Sequence, residues 1–274
     1  MIRSIVFMAL FAPLVIAVAA IGGTVSYFTR GPGFMRWMLK RLCKTTLFLT
    51  RWVLNVKLEI RGLERWKDGA RPMLIVPKHQ SELDVFPPLA MHPDLSAIAM
   101  AELTNYPFFG PPIRKLDYIL VSVTGKKRNQ SAQVVEGAMR AHAQGRPILI
   151  YPEGELMRIG SRERYRSGVW HIYNALGIEA TPVACSTGLA WPQRKFRKRP
   201  GQRCVMEFME PIPPGLDKET FMAELERRIE TRCMELIEEH GSPEDVAVAR
   251  ERHRRGLTNS DDKTAAGSAV PIDA

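Results

Sequence analysis

The sequence predicts an α/β domain with a mixed, mainly parallel sheet flanked by helices. It also predicts an N-terminal membrane-embedded helix or helical hairpin. Three observations carry this. From Val56 onward, short apolar or alternating stretches are separated by segments of helical periodicity, the pattern of strands joined by crossover helices. Ile5 to Phe28 contains no charged residue. Phe34 to Leu54 sets Trp, Phe and Leu against Arg and Lys at helical spacing.

Taken in order, the uncharged run comes first. At about 1.5 Å per residue it suffices for a helix that crosses a bilayer core. Pro13 and the Gly22-Gly23 pair are expected to bend it, which admits a hairpin dipping into one leaflet. A cleaved signal peptide is the competing reading, but the run exceeds the roughly 7–15 residues of a signal core. Arg3 stands alone before the run, whereas Arg30, Arg36, Lys40, Arg41 and Lys44 follow it. The positive-inside bias therefore places the rest in the cytoplasm, at an inner membrane. On a helical wheel Phe34, Met35, Met38, Leu42, Leu49, Trp52 and Val53 share one side, and Arg36, Lys40, Lys44 and Arg51 the other. That describes a helix lying in an anionic membrane surface, with a soluble helix capping the domain as the alternative.

Strands are expected at 56–60, 73–76, 96–100, 119–123, 148–151, 181–184 and 204–208, and helices at 83–91, 130–144, 169–176 and 218–239. Gly145-Arg146-Pro147 closes the second of these helices. Residues 1–55 are thus an anchor plus an amphipathic helix and 56–240 the α/β domain. Residues 241–274 are a helical end and a polar tail, disordered after His253 by composition.

The chain has 274 residues, long enough for one substantial domain, and a formal net charge of +10. Such a basic excess favours anionic partners. Beside an apolar N-terminus an anionic lipid surface is a better partner than nucleic acid, which only the charge suggests. Cys43, Cys185, Cys204 and Cys233 are scattered, so neither a disulfide framework nor a zinc site is expected, and no metal. No Gly-x-Ser-x-Gly elbow, phosphate loop or His-Glu-x-x-His segment is present.

Chemistry is expected where apolar strands end. After 73–77 comes Lys78-His79-Gln80-Ser81-Glu82-Leu83-Asp84. If the chain turns into a helix here, Asp84 folds back on the imidazole, fixes its tautomer and leaves the other ring nitrogen free to take a proton. No protein nucleophile accompanies the pair, so the nucleophile can be a substrate hydroxyl. After 147–150 comes Tyr151-Pro152-Glu153-Gly154-Glu155, then Arg158, Arg162, Arg164 and Arg166. That reads as a turn presenting a carboxylate beside an anion-binding strip, or as a solvated loop of mixed charge. The apolar stretch from Glu102 to Pro112, with Pro107 and Gly110, suits an acyl-chain slot, a membrane contact or an ordinary turn. Arg194-Lys195-Phe196-Arg197-Lys198-Arg199 is a basic loop.

The order His79-x-x-x-x-Asp84, Glu102-Leu103 with Pro107 and Gly110, strand-Pro152-Glu153-Gly154, then Thr181-Pro182-Val183-Ala184 resembles the 1-acyl-glycerol-3-phosphate acyltransferases. The likeness runs from about residue 5 to 240. It implies His79 as general base and Asp84 as its orienting partner. The acceptor hydroxyl attacks the thioester of acyl-CoA or acyl-carrier protein directly, with no cofactor. It also implies that Glu153 and Gly154 help form the acceptor site and that Pro182 matches a fourth motif. The sequence departs from the pattern where arginines hold the acceptor's phosphate. Glu155-Leu156 replaces Thr-Arg, Ala101 replaces Lys, and 121–123 reads Val-Ser-Val. Arg158, Arg162, Lys115 and Lys126 are the candidates to compensate. The expected function is acylation of a lysolipid, 1-acylglycerol 3-phosphate first. The alternatives are a lysolipid without a terminal phosphate, or a degenerate protein that only binds acyl-CoA or lipid.

Overall fold

The computed structural model describes residues 1–66, 73–106, 108–122 and 130–258. Its seven strands are β1 (Lys57–Arg61), β2 (Leu74–Pro77), β3 (Ser96–Met100), β4 (Ile119–Val121), β5 (Ile148–Leu149), β6 (Ala180–Cys185) and β7 (Arg203–Phe208). They form one sheet in the order β1-β7-β6-β2-β5-β3-β4. Every neighbouring pair is parallel except β6 and β7. The expected mixed, mainly parallel sheet is the one found.

The central strands β2 and β6 are buried along their whole length, which is why they read as continuous apolar runs rather than alternating ones. Period-2 alternation still sorts their side chains. Leu74 and Val76 face a core shared with α5 (Gln130–Ala143), α6 (Gly168–Leu176) and α7 (Lys218–His240), through Ala138, Ile172, Phe221 and Ile229. Ile75 faces the opposite core with Val183, Phe208, Cys43 and Leu89. This second core is closed by α2 (Gly33–Trp52) and α3 (Phe86–Met91).

Some boundaries differ from expectation for local reasons. The single helix expected at 83–91 is a 3-10 turn, Glu82–Val85, followed by α3, because Ser81 and Asp84 form a capping box that ties down the first turn. Where an apolar turn was expected, α4 (Gly110–Lys115) forms, since prolines at the first helical positions cost no backbone bond. Beyond α7, Ser242 caps α8 (Pro243–Arg255), whose Ala249 is wholly buried with Leu189 and Ile237. The polar tail expected after His253 lies, from residue 259, outside the described residues.

The N-terminal run is one uninterrupted helix, α1 (Ile2–Phe28), with Pro13 inside it. The helix runs on through Gly22-Gly23, where a bend was expected, and the glycines serve close packing. A Cβ on Gly22 would stand 2.3 Å from Met38 Cε, and one on Gly23 2.8 Å from Phe108 Cα. Both ends of α1 rest on the rest of the protein. Phe7 and Phe11 pack edge-on against Trp191, and Gly23 lies on Phe108 beside α4. The wheel of α2 also needs correction. Its buried stripe is Met35, Met38, Cys43, Thr46 and Thr50, while Trp37, Phe48 and Trp52 are exposed. Arg41 and Arg51 lie over Trp37 and Trp52, so cations and aromatics share the outer face. A single apolar side was assumed, but this helix has one side on a protein core and another facing outward.

Gly23→Val is expected to weaken docking of α1 by about 1–3 kcal/mol, because the neighbour it meets is backbone. Gly31→Ala, with no heavy atom within 4 Å of its Cβ, should be neutral. Thermal denaturation in detergent, with proteolysis of α1 as a second readout, separates the two.

Candidate active site

Strand β2 lies between β5 and β6 and runs parallel to both, so three strand ends open on the same edge of the sheet. Ligands in α/β sheets bind outside such carboxyl ends. From the end of β2 the chain enters the capping box. Asp84 Oδ2 accepts from the backbone N–H groups of Gln80 (2.7 Å) and Ser81 (2.8 Å). The same oxygen lies 3.3 Å from His79 Nδ1. The other carboxylate oxygen accepts from the hydroxyl of Thr187, on a turn just past β6. Asp84 is fully buried, whereas the His79 side chain keeps 18% of its surface exposed. An acceptor fixed in this way selects the His79 tautomer with hydrogen on Nδ1 and leaves Nε2 as an unprotonated base.

The imidazole is held from its face as well. Tyr151, at the end of β5, stacks on it with ring centroids 3.9 Å apart and planes 21° apart. Burial pushes the Tyr151 phenol well above its ordinary pKa, so it is a neutral wall. Met157 N–H donates to the His79 carbonyl at 2.6 Å, tying the loop after Pro152-Glu153-Gly154 to the same residue.

Behind the site lies a buried charge cluster. Lys78 Nζ is 2.5 Å from Glu230 Oε1 on α7 and 3.2 Å from Glu153 Oε1. It also donates to the Ser161 carbonyl at 3.2 Å, and Tyr165 O–H donates to Glu230 at 2.9 Å. Burial alone would lower the pKa of Lys78, but Glu230 and then Glu153 outweigh it and hold the ammonium charged. One cation faces two carboxylates. Burial raises the pKa of Glu153, and Lys78 offsets this only in part.

The expected site residues separate accordingly. His79 and Asp84 are brought together at the sheet edge. Arg158 lines a cavity of about 450 Å³ that begins at Gln80 and Gly188. Glu153 was expected to help form the acceptor site, but only 1% of it is exposed and its carboxylate turns inward to Lys78. Pro182 sits mid-strand in β6, buried and paired with Val76, so it belongs to the sheet rather than to a substrate surface. Gly154 is needed for the turn itself. Its φ is +71°, and the Arg166 guanidinium lies 2.6 Å from where a Cβ would stand. Gly110 starts α4, packed so closely on Thr104 that a Cβ would lie 2.2 Å from its carbonyl oxygen. Pro107 lies outside the described residues.

Of the other compensating cations, Arg162 pairs with Glu226 and Lys115 donates to Thr29, both committed elsewhere. Lys126 lies outside the described residues. Thr187 and the stacking of Tyr151 were missed by sequence reasoning. Thr187 lies 103 positions from Asp84, beyond any local pattern, although Tyr151 directly precedes the turn that drew attention.

Residues 57–186 match the family model described as Acyltransferase. The chain is 28% identical over 238 residues to a 1-acyl-sn-glycerol-3-phosphate acyltransferase of Pseudomonas aeruginosa, covering 84% of this chain and 90% of that protein. It is 24% identical over 176 residues to the alpha form of the enzyme of that name from Bos taurus, covering 63% of this chain and 60% of the bovine protein. The fold is shared with the crystal structure of the 1-acyl-sn-glycerophosphate acyltransferase of Thermotoga maritima. The TM-score is 0.67 at 20% identity, over 86% of this chain and 96% of that one.

Lys78→Ala strands two buried carboxylates and is expected to cost about 3–5 kcal/mol, read from denaturant unfolding in detergent. Glu153→Gln should behave differently. A carboxyl whose folded pKa is raised stabilises the fold fully below its unfolded value, and that contribution is lost as pH rises through the folded value. The wild-type unfolding midpoint should therefore fall on going from about pH 4.5 upward, and Glu153→Gln should lose less over the same range.

Proposed function

Because the chain belongs to the 1-acyl-sn-glycerol-3-phosphate acyltransferase family, we propose that it transfers an acyl chain to the free hydroxyl of 1-acylglycerol 3-phosphate, giving phosphatidate. The observation that carries the reading is His79 held between Asp84 and Tyr151 at the open end of the sheet, with Nε2 the free ring nitrogen. The acceptor hydroxyl gives its proton to Nε2 as its oxygen attacks the thioester carbonyl of acyl-CoA or acyl-carrier protein. The new C–O bond forms, the C–S bond breaks, and the proton passes from the imidazolium to the departing thiolate. Asp84, hydrogen-bonded at Nδ1, steadies the imidazolium while it lasts. No acyl-enzyme and no cofactor enters this sequence.

A membrane setting supports it. α1 presents Ile5, Leu10, Ile16 and Phe28 outward, and α2 presents Trp37, Phe48 and Trp52 with Arg41 and Arg51. Docking of both ends of α1 on the protein favours a helix immersed in one leaflet over one that crosses. An aromatic and cationic face beside it suits an anionic lipid surface. The charge asymmetry flanking α1 supports an α/β domain on the cytoplasmic side of an inner membrane. Residues 1–55 thus act as anchor, and α8 completes the domain of residues 56–240. A lysolipid without a terminal phosphate is the second reading, favoured by Glu155 and Leu156 in place of the Thr-Arg that the family resemblance implies.

The test is an acceptor panel with one acyl donor: lysophosphatidate against phosphodiester, zwitterionic and amino-acid-linked lysolipids. Preference for lysophosphatidate supports the first reading, and preference for another class replaces it. His79→Ala should keep its fold by circular dichroism and lose about 10²–10⁴-fold in kcat, general-base help of the usual size. Thr187→Val should lower kcat by about tenfold through a loosened Asp84, and Thr187→Ser should restore it.

A further inference from the structure

We propose that the cavity beginning at Gln80 is the phosphate-binding site of the acceptor, built by Arg158, Arg194 and Lys195. This rests on the acyl-transfer reading above and adds the residues that recognise the headgroup. It assigns that task to side chains outside the motif positions, since Leu156 stands where an arginine is implied.

Position is the first argument. The cavity holds about 450 Å³, and two of its walls continue the catalytic pair. Gln80 follows His79 directly. Gly188 follows Thr187, whose hydroxyl holds Asp84. The cavity thus adjoins the catalytic turn through Gln80 and Gly188.

Charge is the second. Five lining residues are cationic and three acidic. Arg199 is spent on a two-pronged pair with Asp245, at 2.7 and 2.9 Å. Arg252 donates to the Ile159 carbonyl at 3.2 Å. Among the described residues neither the Arg194 guanidinium nor the Lys195 ammonium has an ion-pair partner. With five cationic residues against three acidic ones, the lining keeps an excess of positive charge whatever pairs form within it. A guanidinium pairs bidentately with a phosphate, and an ammonium adds a point charge.

Preorganisation is the third. Arg194 adopts φ +53°, a left-handed backbone uncommon for a residue other than glycine. Its N–H donates to Glu82 Oε1 at 2.8 Å, and Glu82 belongs to the turn between His79 and Asp84. The basic loop is therefore fastened to the catalytic turn itself. On its other side Trp191 packs among Phe7, Phe11 and Phe86, and Lys198 N–H donates to Ser4 Oγ at 2.8 Å. The loop thus joins the catalytic turn to α1, the helix read above as membrane-immersed, from which side a lysolipid arrives. Arg194 and Lys195 lie beyond residue 186, where the family match ends.

The test uses the full chain in liposomes, with lysophosphatidate and acyl-CoA varied in turn. The double variant Arg194→Gln/Lys195→Gln should raise the acceptor KM about tenfold or more while the donor KM stays put. Arg197→Gln, an exposed neighbour outside the cavity, removes a charge from the same loop and should not do so. A rise in the donor KM instead means the cavity holds the phosphates of the donor and overturns the proposal. Unchanged KM values, or an equal effect of Arg197→Gln, overturn it too. If the wild type acylates lysophosphatidate and the double variant keeps its acceptor KM, only the headgroup site fails. A wild type that acylates no lysolipid overturns the acyl-transfer reading with it. Calorimetry with glycerol 3-phosphate checks binding without turnover: heat with wild type and none with Lys195→Gln is expected, and equal heats overturn the site.

Discussion

Lys78 is a fully buried ammonium next to the residue read as the general base, and much of the site depends on what surrounds it. Its two carboxylate partners come from the turn after β5 and from α7, and its backbone-carbonyl partner from the loop at Ser161. A buried charge without partners is costly, so these segments are obliged to converge. Their convergence sets the turn that carries Tyr151 against His79 and closes the loop whose Met157 N–H holds the His79 carbonyl. The charge cluster thus works as a fastener behind the chemistry, not as a participant in it. This explains why Glu153, in a turn that points toward the site, does not face a substrate.

A similar division runs through the rest of the molecule. Asp84 is satisfied from two directions, by its own capping box and by Thr187 from the turn after β6. The local bonds make the turn, and the distant one fixes the carboxylate relative to the sheet. Parallel pairing of β2 with both β5 and β6 makes this possible, because it brings three chain segments to one edge within bonding distance. Glycines at α1 and at the Pro-Glu-Gly turn serve the same end by letting helix and guanidinium approach backbone closely.

The basic loop links three features that would otherwise be unrelated: the catalytic turn through Glu82, the cavity through Arg194 and Lys195, and α1 through Trp191 and Ser4. A lipid substrate requires such a junction, since its apolar chain stays in the membrane while its hydroxyl must reach a base in the protein. On the proposed reading, the net positive charge visible at the start as a bulk property is concentrated where a headgroup and an anionic surface would meet.

By itself the sequence determined the strands and most of the helices, α4 excepted, because apolar runs and helical periodicity are local and survive in any context. It also determined His79 with Asp84, since a capping box brings residues five apart together without help from elsewhere. What it misjudged were contacts across long separations. Glu153 is drawn inward by Lys78, Pro182 is absorbed into a central strand, and the glycines of α1 pack on Met38 and Phe108. The faces of α2 followed from having a protein core on one side and the outside on the other, which a wheel drawn for one boundary does not contain. Thr187 meets Asp84, and Arg194 and Lys195 come to line one cavity with Gln80, only once β6 lies against β2 and the loop after Trp191 is fastened to Glu82. Periodicity and caps are written residue by residue, but the pairing of charges and hydrogen bonds between distant segments is decided only where burial leaves each polar group one place to go.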